Sequence, residues 1–202
     1  MIPANRPHES DVAVPLIAAL WLEPDTSGAR WLARPQEELP ILSIERSKLS
    51  AIVPQLLDAW RERCTSERAA ALVERGVKIL APGDAPRPID ARVARAVEIQ
   101  ASAPDRRMSL AAVAEAVSLS PSRLAHLVTP AVGIPLRRHS LWLRLRDAVQ
   151  ELAGGQSVTT AAHAAGFADA AHLSRTFRRM LGFTPSAALR VSKFVQDVPA
   201  RR

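Results

Sequence analysis

The chain has 202 residues, 48% of them apolar, and a formal net charge of +7, which suits one large or two small domains with a real core. Its single cysteine, Cys64, excludes an internal disulfide and a thiolate zinc site. No apolar run of about 18 residues could span a membrane, and the start MIPANRPHESD has no apolar stretch of signal-peptide type, so the cytoplasm is the expected compartment.

Taken in order, Val12 to Leu22 (VAVPLIAALWL) is apolar and partly β-branched and reads as a buried strand, with Pro15 at an edge or bulge. A second extended piece is expected over 40–44. Val53, Leu56, Leu57, Trp60 and Cys64 then recur at helical spacing, and a further helix over 66–80 carries Leu72, Val73, Val77 and Leu80. The stretch APGDAPRP (81–88) holds three prolines and a glycine and marks a linker. Helices follow throughout. Asp90 caps one through about Ala101, with Val93, Val97 and Ile99 inward. After the break SAPDRR (102–107), Ser109 caps the next, with Leu110, Val113, Ala114 and Val117 on its inner face. Ser120 and Pro121 open a short helix through about Thr129. A long one over 136–152 carries the stripe Leu141, Leu145, Ala148, Val149 and Leu152 and stops at Gly154-Gly155. A second short pair is expected over 157–165 and 169–181, and a last helix begins at Pro185-Ser186. The expected fold is mainly α, with a small α+β N-terminal region of two or three strands and two helices.

Charge is lopsided. Residues 1–85 carry 10 Lys/Arg against 12 Asp/Glu, and residues 86–202 carry 17 against 8. A surplus confined to the C-terminal part suggests a polyanionic partner, nucleic acid ahead of a membrane. A solvated, Arg-rich helix face would give the same count.

That part also repeats itself. SLAAVAEAVSLSPSRLAHLVTPAVGIP (109–135) lies over SVTTAAHAAGFADAAHLSRTFRRMLGFTP (157–185). Each copy opens on a Ser cap and has an Ala in mid-helix, Ala114 or Ala162. Each turns at a small residue followed by an apolar one, Ser118-Leu119 or Gly166-Phe167, and places Leu and Gly nine apart, Leu124 to Gly133 and Leu173 to Gly182. A helix-turn-helix needs these features. Two short helices cross closely over a small residue, and the corner needs a residue that tolerates left-handed geometry. Leu173, Phe177 and Leu181 form the inner face of the last helix, and His172, Ser174, Arg175, Arg178 and Arg179 the outer one. An α-helix fits the major groove, where Arg reaches guanine edges or phosphates.

These residues resemble the AraC/XylS-type family of bacterial transcription regulators over roughly 89–189. GFADAAHLSRTFRRMLGFTPSAAL is similar to the second helix-turn-helix signature of that family, LWLRLRDAVQEL to its connecting helix, and SLAAVAEAVSLSPSRLAHLV to its first helix-turn-helix. The resemblance implies two recognition helices in successive major grooves of double-stranded promoter DNA. It implies base contacts from Ser122, Arg123, Ala125 and His126, and from Ala170, Ala171, His172, Ser174 and Arg175. Arg137, Arg138, Arg178 and Arg179 are then the phosphate candidates. Many members have a long polar or basic residue where Ala125 and His126 stand, so Arg175 and His172 are expected to dominate readout. IPANRPH (2–8) and LIAALWLEPD (16–25) resemble the last strands of a cupin-type sensor. Most of that barrel would precede Met1, which leaves effector binding by this chain in question. The resemblance thus divides the chain into a sensor and dimerisation remnant (1–80), a linker (81–88), a double helix-turn-helix domain (89–190) and a basic tail (191–202). It leaves room for contact with RNA polymerase and for a homodimer through the 53–80 helices.

The blander readings differ by residue. His8 as a metal ligand has no partner of ligand type nearby. His163 reads as structural or solvent-facing, Trp142 as packing, and Cys64 as inert core. No catalytic arrangement, metal site or cofactor loop stands out, and no enzyme is expected. The alternatives to a regulator are a DNA-binding accessory protein without effector sensing, and a helical protein-interaction module whose basic face meets an acidic protein.

Overall fold

The computed structural model describes residues 45–62, 64–80, 88–103 and 108–191. Every element among them is a helix: α1 Arg46–Leu49, α2 Val53–Glu62, α3 Ser66–Leu80, α4 Ala91–Ser102, α5 Leu110–Ala116, α6 Pro121–Val132, α7 Leu136–Ala153, α8 Val158–Ala164, α9 Ala170–Leu181 and α10 Pro185–Val191. This corrects the expected α+β character of the N-terminal region: no strand occurs among the described residues. The segments expected to be extended, 12–22 and 40–44, lie outside them, as do His8, the cupin-like stretches, most of the 81–88 linker and the tail beyond 191. The described part of that region is helical because its inward residues recur every three or four positions. Ala59 is buried on α2, with Ile52 buried just before its start, and Leu72 and Gly76 are buried on α3. Arg68 of α3 pairs with Glu62 of α2 at 2.7 Å, and Arg75 donates to Gln55 at 3.3 Å. Val53, Trp60 and Val73, apolar residues that the sequence sets on these helices, are among the exposed large apolar residues.

From α4 onward the expected helices are present with small shifts of their ends. The architecture is two three-helix units, α4–α5–α6 and α7–α8–α9, each with its own core. The first core is Val93, Ala96 and Val97 from α4, Val113, Ala114 and Val117 around α5, and Leu124, Val128 and Val132 from α6, closed by Ile134 and Leu136. The second is Leu145, Ala148 and Leu152 from α7, Ala161, Ala162 and Ala165 around α8, and Phe167, Leu173, Phe177 and Ala188. Leu110, expected inward, is exposed. Gln100 and Ala96, which no stripe singled out, are buried.

The two cores correspond residue by residue. Moving 48 positions on takes Val97 to Leu145, Val113 to Ala161, Ala114 to Ala162, Val117 to Ala165, Ser118 to Gly166 and Leu119 to Phe167. One extra residue in the second corner makes the offset 49 afterwards, taking Leu124 to Leu173 and Val128 to Phe177. The exchanges compensate in volume. Two valines, one on α5 and one just after its end, become alanines where a leucine and a valine elsewhere become phenylalanines. A close-packed interior tolerates such swaps because total volume is kept.

The long helix α7 belongs to both units. Leu136 at its start lies in the first core, and Leu145, Ala148 and Leu152 lie in the second. Its 18 residues make a rod about 27 Å long. Leu141 and Trp142 pack on the second core, while His139 and Leu143 are buried as well. The rod is therefore covered on more than one side, as its neighbouring large residues require.

Candidate nucleic-acid interface

Each unit presents a short supporting helix, a corner and a second helix, and local chemistry fixes all three. The supporting helices α5 and α8 each begin at a serine whose hydroxyl accepts from the third residue on, Ser109 from Ala112 N–H and Ser157 from Thr160 N–H, both at 3.1 Å. Such caps satisfy otherwise orphaned backbone donors. The corner residues are Ser118, φ 55°, and Gly166, φ 74°, both in the left-handed region. The residue after each corner donates its N–H back across it, Leu119 to Ala114 O at 2.9 Å and Phe167 to Ala162 O at 2.8 Å. The second helices are capped by Ser120, accepting from Arg123 N–H at 3.2 Å, and by Asp169, accepting from His172 N–H at 2.6 Å. Both are 12 residues long and both end on a left-handed glycine, Gly133 at φ 81° and Gly182 at φ 88°.

On α6, Ser122, Arg123 and His126 are exposed and Ala125 is half-buried. On α9, Ala171 and Arg175 are exposed, and Ala170, His172 and Ser174 are half-buried. Arg178 and Arg179 are exposed on α9, as are Arg137 and Arg138 in the first turn of α7. At 100° per residue, Ala171, Arg175 and Arg178 share one side of α9, opposite Leu173 and Phe177. The 49-residue offset sets Ser122, His126 and Thr129 on the matching side of α6. The sides therefore correspond in position but not in charge, since α9 carries three arginines and α6 one. Neither helix contains an acidic residue. Among the described residues, no acid lies within ion-pair distance of Arg123, Arg137, Arg175, Arg178 or Arg179. Arg123 is still near enough to the Asp90 carboxylate to help lower its pKa.

Two residues have more to do than their sequence position suggested. The His172 ring sits edge-on to Phe167, centroids 5.2 Å apart and planes at 80°, so one side of it is occupied by the corner. Arg144 of α7 escaped sequence reasoning altogether. Its Nε donates to Ala165 O at 3.2 Å, an Nη donates to Gly166 O, and its guanidinium lies 4.5 Å over the Phe167 ring. The only hint was an arginine set between the inward-facing Leu141 and Leu145 on a helix flanked on several sides.

Residues 113–190 match the family model of a helix-turn-helix domain. They form the AraC-type DNA-binding domain of a transcription regulator. A solved structure similar to this AraC-type domain is that of a transcriptional regulator with an AraC-type DNA-binding domain from Chromobacterium violaceum. It is 23% identical, covers 54% of this chain and 95% of its own, and superposes with a TM-score of 0.46. No curated protein sequence matches the chain. No helix among the described residues is long and apolar enough to cross a membrane, and no group of three or more His, Cys, Asp or Glu there could hold a metal ion.

Proposed function

We propose that α6 and α9 enter successive major grooves of promoter DNA, with 89–190 as the DNA-binding domain. The observation that carries this reading is the correspondence of the two units, corner for corner and cap for cap, along one shared helix. A rod of about 27 Å is of the order of one turn of duplex, about 34 Å. Ser122, Arg123, Ala125 and His126 then face bases in one groove, and Ala170, Ala171, His172, Ser174 and Arg175 face bases in the next. Arg175 is the principal reader, since a guanidinium on an exposed first-turn-and-a-half position can bond guanine O6 and N7 together. Arg178 and Arg179 stand further along α9, near its end, and with Arg137 and Arg138 at the start of α7 they neutralise phosphates. The +9 net charge of residues 86–202 supports a polyanionic partner.

Salt dependence tests the reading. Each phosphate neutralised contributes about −0.9 to the slope of log K against log salt, so a promoter-type duplex is expected to give a slope of roughly −4 to −7. A flat response, with all duplex sequences retained equally, contradicts it and favours a basic face that meets an acidic protein.

A further inference from the structure

We infer that Arg144 is a positioning residue that aims α9 through a train of side chains, Arg144–Phe167–His172, and that this gives the second unit a selectivity the first has no parts to match. The inference rests on the reading that α9 contacts bases. Arg144 belongs to the connecting helix, 23 positions before Phe167, and touches the corner in three ways. Its fork meets the carbonyls of Ala165 and Gly166, which stand at the C-terminal end of α8 where acceptors lack helical partners and a cation is favoured. Its flat face covers the Phe167 ring at 4.5 Å, a cation–π contact on a ring that is only 2% exposed. The same ring meets the His172 ring edge-on, and His172 N–H is tied to the Asp169 cap. Rotation of α9 about its own axis would carry the His172 ring off the Phe167 ring that Arg144 holds in place.

The first unit is built without this train. The residue 48 positions before Arg144 is Ala96, fully buried, and the plug of the corner is Leu119 rather than Phe167. Arg123 stands where His172 does, 49 positions on. No cation from α4 reaches that corner at the matching position, so α6 rests on apolar packing and its cap. Base readout tolerates errors of only about 0.5 Å and 10–20° in the placement of a side chain. A corner bonded to the connecting helix therefore sharpens readout in the second groove alone.

The test uses the full chain and the duplex it selects from a random-sequence pool, together with that duplex mutated in either half and a random duplex. Arg144→Met keeps the stem and removes the fork; Arg144→Lys keeps the charge and removes the flat face. For Arg144→Met, measured at a temperature where circular dichroism shows it folded, discrimination in the half bound by α9 is expected to fall roughly tenfold, with random-duplex affinity and the other half changing less than about twofold. Arg144→Lys restores part of that loss. In free protein, the His172 ring proton resonances lose the shift that the neighbouring Phe167 ring imposes. An equal loss on every duplex, no loss on any, or unmoved His172 resonances overturns the inference. If Arg144→Met fails to fold, Arg144→Lys alone decides, with a smaller loss confined to the same half. Arg175→Ala separates the two levels. If it impairs one half while Arg144→Met and Arg144→Lys do not, α9 reads bases and only the positioning role fails. If Arg175→Ala shows no preference between halves, the reading of α9 itself fails.

Discussion

Ser118 and Gly166 occupy the same corner at φ 55° and 74°, and only one of them is a glycine. A side chain in left-handed geometry costs about 1–2 kcal/mol. Ser118 carries that cost, and it is offset by the packing of the first core. Gly166→Val is expected to destabilise the domain by at least about 2 kcal/mol, because a β-branched residue fits that geometry worst and because Gly166 is buried beneath Arg144. Thermal melting checks it, and an unchanged midpoint would refute the strain argument. Arg175 stands on different physics. It is exposed and pairs with no acid among the described residues, so its removal breaks no ion pair of the fold. Arg175→Ala is expected to weaken binding to the preferred site by about 1–3 kcal/mol while leaving random DNA nearly unaffected. Equal losses on both would make Arg175 a phosphate contact.

The helices owe their ends to a few polar residues, and these were the most legible part of the chain. Asp90, Ser109, Ser120, Ser157 and Asp169 all accept from the backbone N–H of a residue two or three positions on, as their type and place before an apolar run imply. The corners, the connecting helix and the exposed arginines of α9 were readable for the same reason, each being set by local sequence, whereas His172 and Ser174, read on the same outer face, are half-buried. What was not readable depends on tertiary partners. Arg144 makes its contacts with residues 21 to 23 positions away, and no periodicity reports on that. Trp60 and Val53 follow a helical stripe yet are exposed, because a stripe shows which residues share a side and not what covers it. The cap at Asp90 also gives a pH signature. Its carboxylate is held down to about 2, first by the Arg92 side chain and then by the Arg92 backbone N–H. A depressed carboxyl pKa contributes stability that is complete above its ordinary value of 3.8 and is lost as pH falls through about 2. Asp90→Asn keeps a cap but removes this titration. The melting-point difference between wild type and variant is therefore expected to shrink as pH is lowered from about 5 to about 2, and a constant difference would contradict the pairing with Arg92.

The molecule separates stability from recognition. Its two cores are built from the inner sides of six helices, and Arg123, Arg137, Arg175, Arg178 and Arg179 are left exposed with no acid of the described residues within ion-pair distance. On the proposed reading, charge supplies affinity for any duplex, and the two outward sides supply the choice among sequences. The shared helix matters most here, because it fixes the separation of two readers that would otherwise move independently. The inequality of the proposed readers, Arg175 on α9 where α6 has His126, predicts that the two halves of a site are unequally demanding. The most direct measurement is selection of bound duplexes from a random-sequence pool, followed by mapping of the preferred positions. The account predicts two blocks of preferred bases centred about 10–10.5 base pairs apart, with the stricter block lost on Arg175→Ala. A single block, or no sequence preference at all, would contradict the claim that both units read DNA.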